Sequence, residues 1–167
     1  LSMGFSVAAK DDPAMLLFNM IYGGSATSNL FLNVREKESL CYYASSMFHR
    51  QKKLLTVASG IEAANYQRAY DGILGQLEAA RRGEIEDWEI EGARSAVRHA
   101  FRAIGDSMWQ QEDFYLGQAA TGSTETVESL SAAVEAVTRE RMIAAAEGIA
   151  LDTVYFLHGM EEKEEEA

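Results

Sequence analysis

The feature that most constrains the fold is a β-hairpin pattern in a chain whose other patterns are mainly helical. Residues 40–48 and 54–61 are rich in aromatic, β-branched and small side chains, and the polar segment Arg50–Lys53 lies between them. This arrangement predicts two antiparallel strands joined by a turn. The fold must therefore combine helices with a sheet that contains this pair.

Shorter patterns on both sides of the hairpin predict the remaining elements. Strands are predicted at Phe5–Ala9 and Thr153–Leu157, and helices are predicted to follow caps at Asp12, Ser28, Asn65, Thr124 and Thr138, with others over 88–104 and 108–120. Gly23, Gly83 and Gly148 are predicted to end three of these helices. The order of elements is typical of an α+β fold, a two-layer α/β sandwich with helices on one face of a mostly antiparallel sheet.

The bulky aromatic residues of the predicted helices are assigned to the hydrophobic core. Trp88, Trp109, Phe114 and Tyr115 fit apolar helix stripes better than they fit a cofactor-binding site.

Length and hydrophobic content indicate one domain and a short tail. The 167 residues are 47% hydrophobic, which is enough to bury one core and too little for two ordinary domains. We therefore predict a single domain over residues 1–160. The acidic run in 161–167 predicts a solvated, disordered end.

Charge and cysteine usage narrow the classes of partner and compartment. The 26 acidic and 15 basic residues give a net charge of −11, which disfavours nucleic acid and anionic membranes as partners because both would repel the chain. Cys41 is the single cysteine, so no internal disulfide can form, and no apolar run has the length of a membrane span. We expect a cytoplasmic location. The chain does not begin with Met and opens without a signal-peptide pattern, so we expect it to be part of a longer protein.

The most specific pattern in the sequence joins the second predicted helix to the hairpin. The segment Arg35–Tyr42 reads R-E-K-E-S-L-C-Y, with Arg35 near the helix end and Tyr42 in the first hairpin strand. A guanidinium and a phenol hydroxyl at such a junction can both donate hydrogen bonds to a peptide carbonyl. The segment resembles the R-E-K-x-x-L-x-Y signature of the second, non-catalytic domain of the insulinase/pitrilysin (inverzincin) family of zinc peptidases, in its bacterial branch.

This resemblance implies a site that is shared between two domains. In that family the Arg and the Tyr face the zinc site of a separate homologous domain, bind the substrate backbone and help to stabilise the tetrahedral intermediate. Arg35 and Tyr42 would then bind a peptide substrate and support the transition state, and the chain would contain no catalytic residue of its own. The implied partner is a homologous catalytic domain in the same chain or in a homo- or heterodimeric partner.

The zinc motif of that family is missing from this sequence. The catalytic domain carries H-x-x-E-H on a helix, which places two imidazoles one turn apart beside a general base. Here the nearest match begins at His158, where Glu161 and Glu162 follow and Gly159 opposes the helix that a metal site would need. We therefore expect this domain to bind no metal, and the zinc to lie in the partner catalytic domain.

Simpler roles for the two candidate residues remain open. Arg35 can merely interact with the helix dipole or pair with Glu36 or Glu38, and Tyr42 can merely be a cross-strand aromatic residue. Because neighbouring residues of a strand point to opposite faces, we expect either Tyr42 or Tyr43 to pack inward, with Tyr43 in the core or at an edge.

Two functions follow from the resemblance. The domain is either the substrate-binding, non-catalytic half of a zinc metalloendopeptidase, inactive alone, or an inactive structural or assembly subunit of the same family. The second possibility arises because some members of the bacterial branch lack the zinc motif altogether.

Overall fold

A computed structural model describes residues 1–159 and contains a single four-stranded sheet over this range. Its strands are β1 (Ser2–Val7), β2 (Cys41–His49), β3 (Leu54–Ile61) and β4 (Ile149–Tyr155). The strand order is β2-β3-β1-β4, and each neighbouring pair is antiparallel. The predicted hairpin is thus confirmed. The predicted acidic tail lies outside the described residues.

Helices form the second layer. They are α1 (Asp12–Asn19), α2 (Tyr66–Arg81), α3 (Asp87–Gly105), α4 (Met108–Thr121), α5 (Val127–Glu135) and α6 (Arg139–Glu147). Helix α1 continues directly into a π-helical segment, Met20–Gly24, and a second π-helix, Leu30–Lys37, precedes β2. Both π-helical segments and α1 pack against β2.

Only one face of the sheet is buried. Its apolar side chains alternate along each strand and contact the helices; they include Met3, Phe5, Val7, Ala44, Phe48, Leu55 and Val57. The opposite face is open, with Tyr43 and Met47 exposed on it. This arrangement confirms the predicted α+β class, with helices on one face of an antiparallel sheet.

Several predicted boundaries were wrong because tertiary pairing or a neighbouring cap decides them. Asp11, and not Asp12, caps α1, since its carboxylate accepts a hydrogen bond from the Ala14 amide at 3.2 Å. Thr126, and not Thr124, caps α5 through reciprocal hydrogen bonds with Ser129. The predicted bounds of the first and last strands were also wrong. β1 begins at Ser2 and β4 begins at Ile149, because the two strands pair with each other over this range.

A cluster of charged side chains connects the hairpin turn to the helical layer. The Arg50 Nε atom donates to a carboxylate oxygen of Asp12 at 3.2 Å, and Arg50 also pairs with Glu125 in the loop between α4 and α5. Lys53 pairs with the same Asp12 carboxylate. These contacts join the turn to the start of α1 and to the α4–α5 loop.

Within residues 1–159, no helix has both the length and the hydrophobicity that crossing a bilayer requires.

A close backbone contact explains why glycine stands at position 23. Gly23 is buried where the first π-helical segment crosses β2, and a Cβ atom there would lie 2.6 Å from the Ser46 hydroxyl oxygen, 2.7 Å from the Ser46 amide nitrogen and 2.8 Å from a methyl carbon of Leu30. The sequence pattern predicted a helix stop at this position. The structure adds that the helix and the strand can approach each other only if residue 23 has no side chain.

We expect Gly23→Ala to lower the free energy of unfolding by about 1–3 kcal/mol, because the added methyl group overpacks the junction of helix and strand. Gly75→Ala is the matched control, since nothing lies within 4 Å of its added Cβ in α2. The control should gain up to about 1 kcal/mol from its higher helix propensity. Urea denaturation of both variants measures the difference, and equal stability of Gly23→Ala and wild type would contradict the packing argument.

Candidate functional site

The structure brings Arg35 and Tyr42 together where the second π-helix leads into β2. The Arg35 Nε atom donates a hydrogen bond to the backbone carbonyl oxygen of Tyr42 at 2.9 Å. The contact therefore runs from the guanidinium to the main chain of Tyr42. It closes the loop between the helix end and the strand start.

A β-bulge sets the direction of the Tyr42 side chain. Cys41 pairs with Ile61 and Tyr43 pairs with Gly60, so Tyr42 is an extra residue without a partner in β3. The bulge interrupts the alternation of faces, and Tyr42 is 71% exposed while Tyr43 is 53% exposed. The prediction that one of the two tyrosines packs inward was therefore wrong.

The Tyr43 ring lies on the open sheet face above Gly60. A Cβ atom at Gly60 would lie 2.6 Å from the Cε1 atom of Tyr43. Glycine at this position thus allows the ring to lie flat against the strand.

The Tyr42 hydroxyl has an acceptor within the chain. It donates to the Oε1 atom of Glu62, with a separation of 2.5 Å. This hydrogen bond to a carboxylate, together with its negative charge, raises the pKa of Tyr42 above its ordinary value. The phenol therefore stays protonated at neutral pH, and its proton points to Glu62.

Arg35 makes two further contacts. One terminal nitrogen pairs with the Glu36 carboxylate at 2.5 Å, and the guanidinium carbon lies 4.6 Å from the centre of the Phe31 ring. The simpler role considered for Arg35, pairing with Glu36, is thus present beside its contact with Tyr42. Both contacts hold the guanidinium against the helix.

An open cleft of about 380 Å³ contains these groups. Its lining residues are Arg35, Glu36, Ser39, Leu40, Cys41, Tyr42, Glu62 and Asn65. Ser39 adopts the left-handed conformation with φ of 51°, which turns the chain from the helix into the strand. Burial raises the pKa of the Cys41 thiol, which disfavours the thiolate that a nucleophile would need.

Sequence reasoning missed Glu62 as a member of this site. Glu62 directly follows Ile61, the partner of Cys41, so the strand register places it one residue beyond the start of β2, where its carboxylate accepts the hydrogen bond of the bulged Tyr42. The hairpin register, which is set by the position of the turn, was the sequence signal that could have indicated Glu62. The bulge that completes the arrangement has no clear signal in the sequence.

No group of three or more His, Cys, Asp or Glu side chains could hold a metal ion within residues 1–159. His158 stacks on Phe156 with ring centres 5.2 Å apart. The other two residues of the weak metal pattern, Glu161 and Glu162, lie outside the described range.

Comparison with known families identifies the domain. The family model described as "Peptidase M16 inactive domain" matches residues 2–97, and the chain belongs to this family. M16 is the insulinase/pitrilysin family, so the predicted membership of this family is confirmed. The chain is therefore a non-catalytic M16 domain, of the kind that pairs with a catalytic domain.

Individual relatives agree with this assignment. A Bacillus subtilis (strain 168) protein described as "Probable inactive metalloprotease YmfF" is 40% identical over 152 residues, which cover 91% of this chain and 36% of the relative. A conserved protein from Enterococcus faecalis V583 has a solved structure with a TM-score of 0.82 and 30% identity, over 90% of this chain and 36% of that chain. This chain thus spans about a third of the length of both relatives.

A third relative shows the same fold at the level of one domain. The structure of the inactive peptidase domain of a zinc protease from Bordetella parapertussis has a TM-score of 0.73 and 13% identity. The match covers 90% of this chain and 89% of that one. At this identity the likeness concerns the fold alone.

The hydrogen bond between Tyr42 and Glu62 leads to a titration experiment. We expect Glu62→Gln to shift the pKa of Tyr42 down towards its ordinary value, because the substitution removes the negative charge beside the phenol. Glu36→Gln is the matched control, since Glu36 pairs with Arg35 and not with the phenol. NMR titration of ¹³C-labelled tyrosine measures the effect, and an unchanged Tyr42 titration in Glu62→Gln would show that the carboxylate does not hold the hydroxyl.

Proposed function

We propose that this domain is the non-catalytic lobe of an M16 protein that hydrolyses no peptides, and that it serves as the structural partner of a homologous domain. One observation carries the proposal: Arg35 donates to the Tyr42 carbonyl and to Glu36, and the single hydroxyl proton of Tyr42 is donated to Glu62, so both side chains already bind acceptors within the chain. The description of the Bacillus subtilis relative as a probable inactive metalloprotease supports it.

The geometry of these donors favours a structural role. Transition-state stabilisation requires donors that are already aimed at the position where negative charge develops. The single phenol proton of Tyr42 is directed at Glu62, and a substrate carbonyl would have to displace that carboxylate. Because a charged acceptor forms a stronger hydrogen bond than a neutral carbonyl, this exchange disfavours binding of the ground-state substrate by Tyr42.

The open cleft supports a second candidate function. In this alternative the domain is the substrate-binding half of a zinc metalloendopeptidase, and Arg35 and Tyr42 bind a peptide against zinc held by the homologous catalytic domain. The exposure of Tyr42 and the volume of the cleft favour it, since a peptide could reach both residues. Under either proposal no metal site is formed by residues 1–159. We also propose a cytoplasmic location for the protein.

Peptide hydrolysis by the full-length protein separates the two candidates. We expect no cleavage of unfolded casein or of fluorogenic peptides above background, with or without added Zn²⁺. Arg35→Ala should then act on stability alone and lower the free energy of unfolding by about 1 kcal/mol, because it removes the hydrogen bond to the Tyr42 carbonyl. Mass spectrometry of the casein and thermal denaturation of the variants measure the two effects.

Arg82→Ala provides the matched control, because Arg82 pairs with Glu84 on an exposed surface away from the cleft. It should leave the stability close to that of the wild type, because exposed ion pairs contribute little. Zinc-dependent cleavage that falls about tenfold or more in kcat/KM in Arg35→Ala and Tyr42→Phe, but not in Arg82→Ala, would overturn the structural role and establish the peptidase half.

A further inference from the structure

A second polar cleft lies in the helical layer, between the second π-helix, α2 and the start of α3. It has a volume of about 360 Å³ and shares no lining residue with the cleft that contains Arg35 and Tyr42. Its lining residues are Asn29, Leu32, Asn33, Lys37, Glu38, Gln76, Ala79, Glu84, Glu86, Trp88 and Glu89. The proposed function of the domain uses none of these side chains.

The lining of this cleft carries an excess of negative charge. It contains one ammonium group, that of Lys37, and four carboxylates, those of Glu38, Glu84, Glu86 and Glu89. Arg82 lies beside the cleft and pairs with Glu84. Four carboxylates against two cations leave a net charge of −2, which favours a ligand with more than one positive charge.

The carboxylates do not converge on one point. Glu38 ends the second π-helix, whereas Glu89 accepts a hydrogen bond from the Glu86 amide at 2.6 Å and is thereby held at the start of α3. In the described part of the chain, no group of three or more His, Cys, Asp or Glu side chains could hold a metal ion. A ligand that compensates these charges must therefore carry its own charges at separate points.

An aromatic ring lies beside the same carboxylates. Trp88 is 55% exposed, so its assignment to the core from the sequence was wrong. The face of an indole ring attracts cations and also packs against methylene groups. An organic cation with an apolar stem suits this combination, whereas a neutral sugar would leave the carboxylates without a partner.

A buried amide opens into the cleft. Asn29 is the most buried lining residue, at 5% exposed, and its side chain does not cap the π-helix that follows it. The neighbouring Asn33 amide donates to Gln76 at 2.7 Å, but the Asn29 amide has no hydrogen-bond partner in the part of the chain that the structure describes. It is also not enclosed, since the enclosed unpaired polar atoms of this part are Ser28 Oγ and Arg94 Nε. Because an unpaired buried polar group is unfavourable, Asn29 offers a ligand a preformed acceptor.

We propose that this cleft binds a linear polyamine. Its ammonium groups would pair with Glu38 and Glu86, one of them would donate to the Asn29 amide oxygen, and its methylene chain would pack on Trp88. A Lys or Arg side chain of another protein fits less well, because each brings one positive charge into a cleft that favours several. This inference does not depend on the proposed structural role of the domain.

Isothermal titration calorimetry of the full-length protein with spermidine tests the proposal. We expect Trp88→Leu and Glu86→Gln each to weaken binding about fivefold, because they remove the cation–π contact and an ion pair. Asn29→Ala should weaken it about tenfold, because a buried acceptor for a charged donor is lost. Diacetylspermidine, which keeps the chain but loses both terminal charges, should not bind measurably.

Trp109→Leu and Glu112→Gln are the matched controls, since they make the same changes at exposed positions of α4 that do not line the cleft. Both should bind spermidine as the wild type does. Trp88 and Glu86 are also exposed, so their variants are expected to fold even if Asn29→Ala does not.

Four results would overturn the assignment. The first two are no binding of spermidine and equal weakening in the control variants, which would show diffuse attraction to an acidic protein. The third is unchanged affinity for diacetylspermidine. The fourth is tighter binding of a short peptide with two lysines, which would make this a peptide site. None of these results bears on whether the protein hydrolyses peptides, so the two proposals fail separately.

Discussion

The position of β1 between β3 and β4 is the constraint on which the rest of the structure depends. The strand hydrogen-bonds the hairpin on one side and the last strand on the other, so it joins distant parts of the chain into one sheet. Its residues Met3, Phe5 and Val7 all point to the helices. Since only this face is buried, the helical layer must lie on one side, and the opposite face stays open.

The candidate site is a local consequence of this sheet and of one irregularity in it. The hairpin register places Glu62 opposite the start of β2, and the bulge turns Tyr42 out of the normal alternation towards that carboxylate. Arg35 then secures the bulged residue through its carbonyl oxygen. The same side chains that could hold a substrate thus also stabilise the entrance to the strand.

The sequence predicts the fold class and the meeting of Arg35 and Tyr42 because both depend on strong local patterns. The hairpin alternation and the R-E-K-x-x-L-x-Y spacing are such patterns. The bulge at Tyr42, the role of Glu62 and the exposure of Trp109 are not predictable in this way. The first two depend on cross-strand register, and the third depends on whether a neighbouring surface exists to cover an apolar helix face. The assignment of Trp88, Trp109 and Tyr115 to the core was wrong, since these side chains are 55%, 81% and 48% exposed. Hydrophobic periodicity alone does not show whether an apolar helix stripe is buried.

An experimental structure of the full-length protein at a resolution that defines side chains tests the central claim most directly. The account predicts that, with the homologous domain in place, Tyr42 still donates to Glu62 and Arg35 still donates to the Tyr42 carbonyl. It would be contradicted if both side chains had left these acceptors and pointed into a zinc site of the homologous domain.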